Sequence, residues 1–168
     1  MQITAVVDAD HAHDRQTRRS ISGIIIFVGR TPVVWISKRQ GSVQASTYGA
    51  EFNAMRTAIE EILSIRYSLR SFGVPVTSAS RVFGDNMSVL LNIQQPDSQL
   101  RKKHLAISYH VARESCAARI VEPFYIPSSQ NYADPLTKQL AAPAFQYHFK
   151  GLLYDIGTDG AVDIDPDV

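Results

Sequence analysis

Four acidic residues stand where a chain of alternating strands and helices builds sites: Asp8, Glu51, Asp85 and Asp134. Asp8 closes the apolar, β-branched run ITAVVD at 3–8, and Asp85 follows the run SRVFG at 80–84. Glu51 falls in the first turns of a helical pattern, and Asp134 lies beyond a fifth strand, near the start of a last helix. In α/β sheets the ends of strands and the starts of helices meet at binding crevices, and this chain returns an acid there four times. The separations of 43, 34 and 49 residues each leave room for one supersecondary unit. Taken singly, each acid has a plainer explanation as an N-cap, a turn residue or a group favoured by a helix dipole. Together they make a candidate oxygen-ligand metal site. Clustered carboxylates repel one another unless cations intervene, and hard ions such as Mg²⁺ or Mn²⁺ prefer oxygen donors. Two such ions about 3.5–4 Å apart activate water, position a phosphodiester and stabilise the leaving alkoxide without a covalent enzyme intermediate.

The elements that must hold these acids are legible from hydropathy. Strands are expected at 3–8, 22–28 and 33–37, the second pair joined by the turn Gly29-Arg30-Thr31-Pro32. The polar stretch 9–20 between the first two reads as a loop. A long helix starts at an N-cap of Ser46 or Thr47 and carries Ala50, Ala54, Met55, Ala58, Ile62, Ile65 and Leu69 at helical spacing before Gly73 stops it. A strand at 80–84, a short helix at 87–93, a second long helix over 102–117, a strand at 119–125 and a helix late in 132–150 complete the order. Three leading strands followed by strands separated by helices imply a mixed sheet with helices on its faces.

Of 168 residues 45% are hydrophobic, enough for a real core in a single domain. We read residues 1–154 as that domain and 155–168 as an acidic, disordered tail, since the last fourteen residues hold five aspartates and no Lys or Arg. Without those five, seventeen basic residues face eleven acidic ones, so the formal charge of +1 hides a basic body suited to a polyanion. A single cysteine, Cys116, excludes an intramolecular disulfide framework and a cysteine-rich zinc site. With no secretory signal and no apolar run of membrane-spanning length, a soluble, unsecreted protein is expected.

Six segments in order, VDADHAHDRQTRRSISG at 7–23, WISKRQ at 35–40, STYGAEFNAM at 46–55, FGDNMSVL at 83–90, KKHLAISYHVARE at 102–114 and NYADPLTKQL at 131–140, resemble the RNase H domain of Ty1/copia-type retrotransposon Pol polyproteins. The resemblance covers roughly residues 5 to 140. It implies an α/β, RNase H-like fold: a five-stranded mixed sheet of three antiparallel leading strands plus two parallel ones, flanked by helices. It also implies catalytic and metal-binding roles for Asp8, Glu51, Asp85 and Asp134, with two Mg²⁺ ions for which Mn²⁺ substitutes. The implied reaction is hydrolysis of the RNA strand of an RNA–DNA hybrid, leaving 3′-hydroxyl and 5′-phosphate ends. The implied setting is a polyprotein with a reverse transcriptase domain as partner, in a cytoplasmic virus-like particle. The alternative is a catalytically weak or inactive RNase H-like module that binds nucleic acid or a reverse transcriptase. A strand transferase of the same superfold is a further rival, but such enzymes carry glutamate where Asp134 stands. Many cellular members carry a histidine on the loop before the fourth acid. Residues 126–131 hold none, which points to slower turnover, and His104 and His110 sit on a helix instead. Glu is common in the family at the position of Gly49, without being catalytic.

A hybrid is read through its backbones and 2′-hydroxyls. Arg18, Arg19, Lys38, Arg39, Arg101, Lys102, Lys103 and Lys138 are assigned to phosphates, and Ser37, Gln40 and Asn86 to backbone oxygens or 2′-hydroxyls; solvated surface is the plain alternative for at least half of the basic ones. Asp10 is expected past the strand end and outside the metal's ligands. Trp35 alternates with strand-core residues and is expected in the core.

Overall fold

The computed structural model describes residues 1–95, 106–150 and 152. Five strands, β1 (Ile3–Asp10), β2 (Ile21–Val28), β3 (Thr31–Arg39), β4 (Ser80–Gly84) and β5 (Val121–Tyr125), form one sheet in the order β3-β2-β1-β4-β5. The pairs β1–β2 and β2–β3 are antiparallel, while β4 joins β1 and β5 joins β4 in parallel. Among the described residues four α-helices accompany them: α1 (Thr47–Ser71), α2 (Met87–Gln94), α3 (Ala106–Ala117) and α4 (Ala142–Phe149). The fold class and element order read from the sequence are those observed.

Burial explains the strand sequences. β1 is the central strand, buried on both faces, so it reads as an unbroken apolar run. One face carries Ile3, Ala5, Val7, Ile24 and Ile26, which pack against Phe52, Met55, Ile59 and Ile62 of α1. β3 is an edge strand covered on one face only. Val34 and Ile36 pack inward, whereas Trp35 points away and is 69% exposed. The expectation that Trp35 lies in the core is therefore corrected: alternation is the same whichever face is covered, and here the odd face is bare. The edge position also admits Pro32 within β3, beside a register shift at Ile26/Phe27, instead of in the turn.

Boundaries differ from the expected ones for local reasons. β1 continues two residues beyond Asp8 because Ala9 and Asp10 still pair with Ser22 and Ile21. β5 begins at Val121, not Arg119, since Arg119 takes a positive φ of 54° after α3. Ser46 is the N-cap of α1, accepting from the Gly49 amide, and Gly73 ends the helix with φ 76° while Val74 N–H returns to Leu69 O. Residues 102–105 of the expected second long helix lie outside the described residues, as does the acidic stretch 155–168. Among the described residues no helix is long and apolar enough to cross a membrane.

Candidate metal centre

Three acids converge at the carboxyl end of the central strands. Asp8 and Asp85 are brought together by the parallel β1–β4 register, in which Val6 pairs with Phe83; extended by two residues, it sets Asp8 opposite Asp85. Glu51 arrives from α1, on the buried stripe that continues through Met55, Ala58 and Ile62. One ligand oxygen from each of Asp8, Glu51 and Asp85 lies within 4.8 Å of the others. Asp8 is 1% exposed and Glu51 8%.

Such a cluster is electrostatically strained. Burial raises the Asp8 pKa, with Asp85 and Asp134 adding to the effect against a hydroxyl from Thr137 and the charge of Lys138. Burial likewise pushes Glu51 up to about 9, helped by Asp8 and Asp85, although the Ala9 amide donates to it. Without a cation, Glu51 is therefore protonated at neutral pH. An all-oxygen set of close, buried carboxylates that resists its own ionisation fits a hard divalent ion, which would be held by Asp8, Glu51 and Asp85.

Asp134 is placed differently. It sits on a 3-10 turn, Asp134–Leu136, well before α4, and outside the group of three. Its carboxylate is ion-paired to Lys138, whose Nζ lies 4.0 Å from Asp8 Oδ2. Thr137, from the same turn, donates its hydroxyl to Asp8 Oδ2. This segment is fastened over the sheet by Asn131, fully buried, whose Nδ2 donates to Val7 O at 3.0 Å while its Oδ1 accepts from Ala133 N. Ser37 Oγ donates to Leu136 O at 2.6 Å. Gly23, paired with Asp8, makes the close approach possible: a Cβ there would stand 2.7 Å from Ala133 O and 2.7 Å from the Thr137 methyl. Because Ala133 O is backbone, Gly23→Ala must displace the turn. We expect it to cost ~1–3 kcal/mol, measured as a lower melting temperature, and to weaken divalent-ion binding in parallel; an unshifted transition would show that the turn yields freely.

Several residues expected at substrate are used within the fold. Gln40 is buried, its Nε2 donating to Ser22 Oγ and Ala50 O at 2.9 Å each, so it ties β3 to α1 and does not face the surface. Ser37 holds the turn just described. Asn86, half-buried, caps α2 through the Val89 amide. Lys138 lies within the acid cluster and not out on a phosphate track. Arg18 and Lys38 are exposed, Arg19 is half-buried, and Arg39 is exposed but bridges Asp14 at 2.7 Å. Arg101, Lys102, Lys103 and His104 lie outside the described residues; His110 is exposed on α3. Asp10 belongs to β1 and not to the loop beyond, and its carboxylate contacts His13 Nδ1 at 2.6 Å, apart from the group of three.

The sequence reading missed Thr137, Asn131, Gly23 and Ser128, whose Oγ donates to Asp85 Oδ2 at 2.6 Å. Thr137 had a signal: three residues beyond Asp134, it returns to its side of a helical turn. Asn131 and Gly23 had none, because their partners are remote in sequence.

A five-stranded sheet of this topology with acids at the ends of its central strands defines an RNase H-like domain. Among solved structures, LC11-RNase H1 in complex with an RNA/DNA hybrid matches with a TM-score of 0.63 at 16% identity, over 81% of this chain and 94% of that one. A foamy viral protease-reverse transcriptase in complex with an RNA/DNA hybrid matches with a TM-score of 0.55 at 16% identity, over 82% of this chain and 19% of that one. In sequence, the retrovirus-related Pol polyprotein from transposon RE1 of Arabidopsis thaliana is 30% identical over 146 residues, 87% of this chain. The chain is thus a relative of the Pol polyproteins of copia-type plant transposons, and the resemblance read from its six motifs is borne out. It spans about a tenth of the length of those polyproteins. No protein-family model matches the chain.

Proposed function

We propose that the chain is a divalent-metal-dependent ribonuclease H that hydrolyses the RNA strand of RNA–DNA hybrids, the RNase H part of a retrotransposon Pol polyprotein. The observation that carries this reading is the convergence of Asp8, Glu51 and Asp85 on an RNase H-like sheet. Two Mg²⁺ ions, replaceable by Mn²⁺, would supply charge neutralisation at the phosphodiester and a water of lowered pKa. The chain's own residues do the rest. Asp8, Glu51 and Asp85 would hold one cation, and Asp8 with Asp134 the second; Thr137 orients Asp8 and Ser128 orients Asp85 through hydroxyl hydrogen bonds. The exposed Arg18 and Lys38, with the half-buried Arg19, supply the sequence-independent attraction for two backbones. Products carry 3′-hydroxyl and 5′-phosphate ends. A reverse transcriptase domain of the same polyprotein is the natural partner, in a cytoplasmic virus-like particle.

The test is cleavage of an end-labelled hybrid by the purified chain in Mg²⁺ or Mn²⁺, with duplex DNA and duplex RNA beside it. Metal-dependent cutting confined to the RNA strand of the hybrid is expected. Intact hybrid at high protein and Mn²⁺ would overturn the reading in favour of a module that binds nucleic acid without cutting it.

A further inference from the structure

Lys138 brings a cation of the protein's own to a site that invites metal. Its ammonium is ion-paired to Asp134 and lies 4.0 Å from Asp8, so it spans the two acids that face each other across the edge of the cluster. We propose that Lys138 is a resident placeholder for the second divalent ion: it occupies the Asp8–Asp134 side of the site until a second ion displaces it. This rests on the metal-centre reading above and assigns an order of loading to it.

Three observations support the assignment. First, the three acids whose oxygens lie mutually close are Asp8, Glu51 and Asp85, and Lys138 touches only one of them. A first ion would therefore find its ligands without moving the lysine, whereas an ion held by Asp8 and Asp134 would have to take the ammonium's place. Second, Lys138 is not carried there by chance of a free side chain. Its own amide bonds Asp134 O at 3.1 Å, and the preceding residue, Thr137, is hydrogen-bonded to Asp8, so one turn delivers hydroxyl and ammonium together to β1. Third, the lysine side chain is 42% exposed, whereas the side chains of Asp134 and Asp8 are 13% and 2% exposed. The lysine thus has an open path outward, and the acids stay behind. A compact ammonium on a flexible four-carbon stem suits reversible withdrawal better than a rigid guanidinium fork would.

The experiment is Mn²⁺ binding to the full chain without nucleic acid, counted by electron paramagnetic resonance of free Mn²⁺ and by calorimetry, on wild type, Lys138→Met and Lys138→Gln. Wild type is expected to bind one ion well and a second weakly. Both neutral variants should tighten the second site by about tenfold or more, from loss of a competing charge, with the first site changed far less. Lys138→Arg should keep the second site weak. Unchanged or weakened second-ion binding in both neutral variants overturns the placeholder role while leaving the metal centre intact. Failure of wild type and all variants to bind any Mn²⁺ overturns the metal centre itself. A Mn²⁺-free melting curve for each variant keeps a folding defect from passing as either result.

Discussion

Asp8→Asn is expected to abolish hybrid cleavage, by about 10³-fold or more, while raising the melting temperature of the metal-free protein. Both effects come from one carboxylate. Asp8 shares the cluster with Glu51 and Asp85 and also faces Lys138, so it would contribute to both proposed cation positions. An amide in its place keeps one oxygen but loses the charge, and several kcal/mol of lost transition-state stabilisation at ~1.4 kcal/mol per tenfold gives the stated loss. The stability gain follows from burial. Asp8 is 1% exposed, and its charge is opposed first by desolvation and then by Asp85 and Asp134. Asparagine Oδ1 still accepts from Thr137, so the contact to the turn survives the exchange. Relief of ~1–2 kcal/mol corresponds to a few degrees in a domain of this size. Cleavage and thermal unfolding measured on the same preparations check it. Retained cleavage would detach Asp8 from the chemistry, and a large fall in melting temperature would make it a structural residue instead.

How well the sequence announced this site depends on which residues carry it. Asp8 and Asp85 were legible because each follows or ends an apolar run; singly each also reads as a cap or turn residue, and it was the return of an acid at four such places, with the family resemblance, that singled them out. Glu51 was legible only as an acid in the first turns of a helix and through the motif STYGAEFNAM; that it shares the buried stripe of Met55, Ala58 and Ile62 emerges from the structure. The setting of Asp134 was not. It depends on a 3-10 turn with Pro135 near its start and on Asn131 reaching a carbonyl 124 residues away. No local pattern encodes so remote a hydrogen bond. Trp35 and Gln40 failed in opposite senses for different reasons. Period-two alternation gives the two faces of β3 but not which face is covered, nor that β3 is the edge strand, so the tryptophan placed inward is exposed. Gln40 lies just beyond β3, where no alternation applies, and its burial comes from hydrogen bonds to Ser22 and Ala50, which no local pattern announces.

The same electrostatics that suit the site to a divalent cation set the pH dependence of the metal-free fold. Glu51 has a folded pKa of about 9 against an ordinary value of 4.5, with burial the largest cause. Between those values the native state holds a proton that the unfolded state has released. Stability is therefore greatest below the unfolded value, falls as pH rises through the window, and levels off above the folded value. Asp8 is displaced in the same direction and steepens the fall. Asp14 runs the other way: hydrogen bonds from Thr17 and Arg39 lower its pKa, and its contribution is lost only on acidification below the usual carboxylate range, outside this window. From pH 5.5 to 8.5 one such group gives a loss of ~2–4 kcal/mol at up to ~1.4 kcal/mol per pH unit. The melting temperature of the metal-free protein should drop accordingly, by about 5–15 °C. Glu51→Gln should flatten that slope, since the amide has no proton to lose. Mg²⁺ should raise the transition more at pH 8.5 than at pH 5.5, and its binding near pH 7 should release protons, seen by calorimetry in buffers of different ionisation enthalpy. A slope that Glu51→Gln leaves untouched would assign the pH dependence elsewhere. Equal Mg²⁺ stabilisation at both pH values would break the link between the cation and the ionisation of this carboxylate.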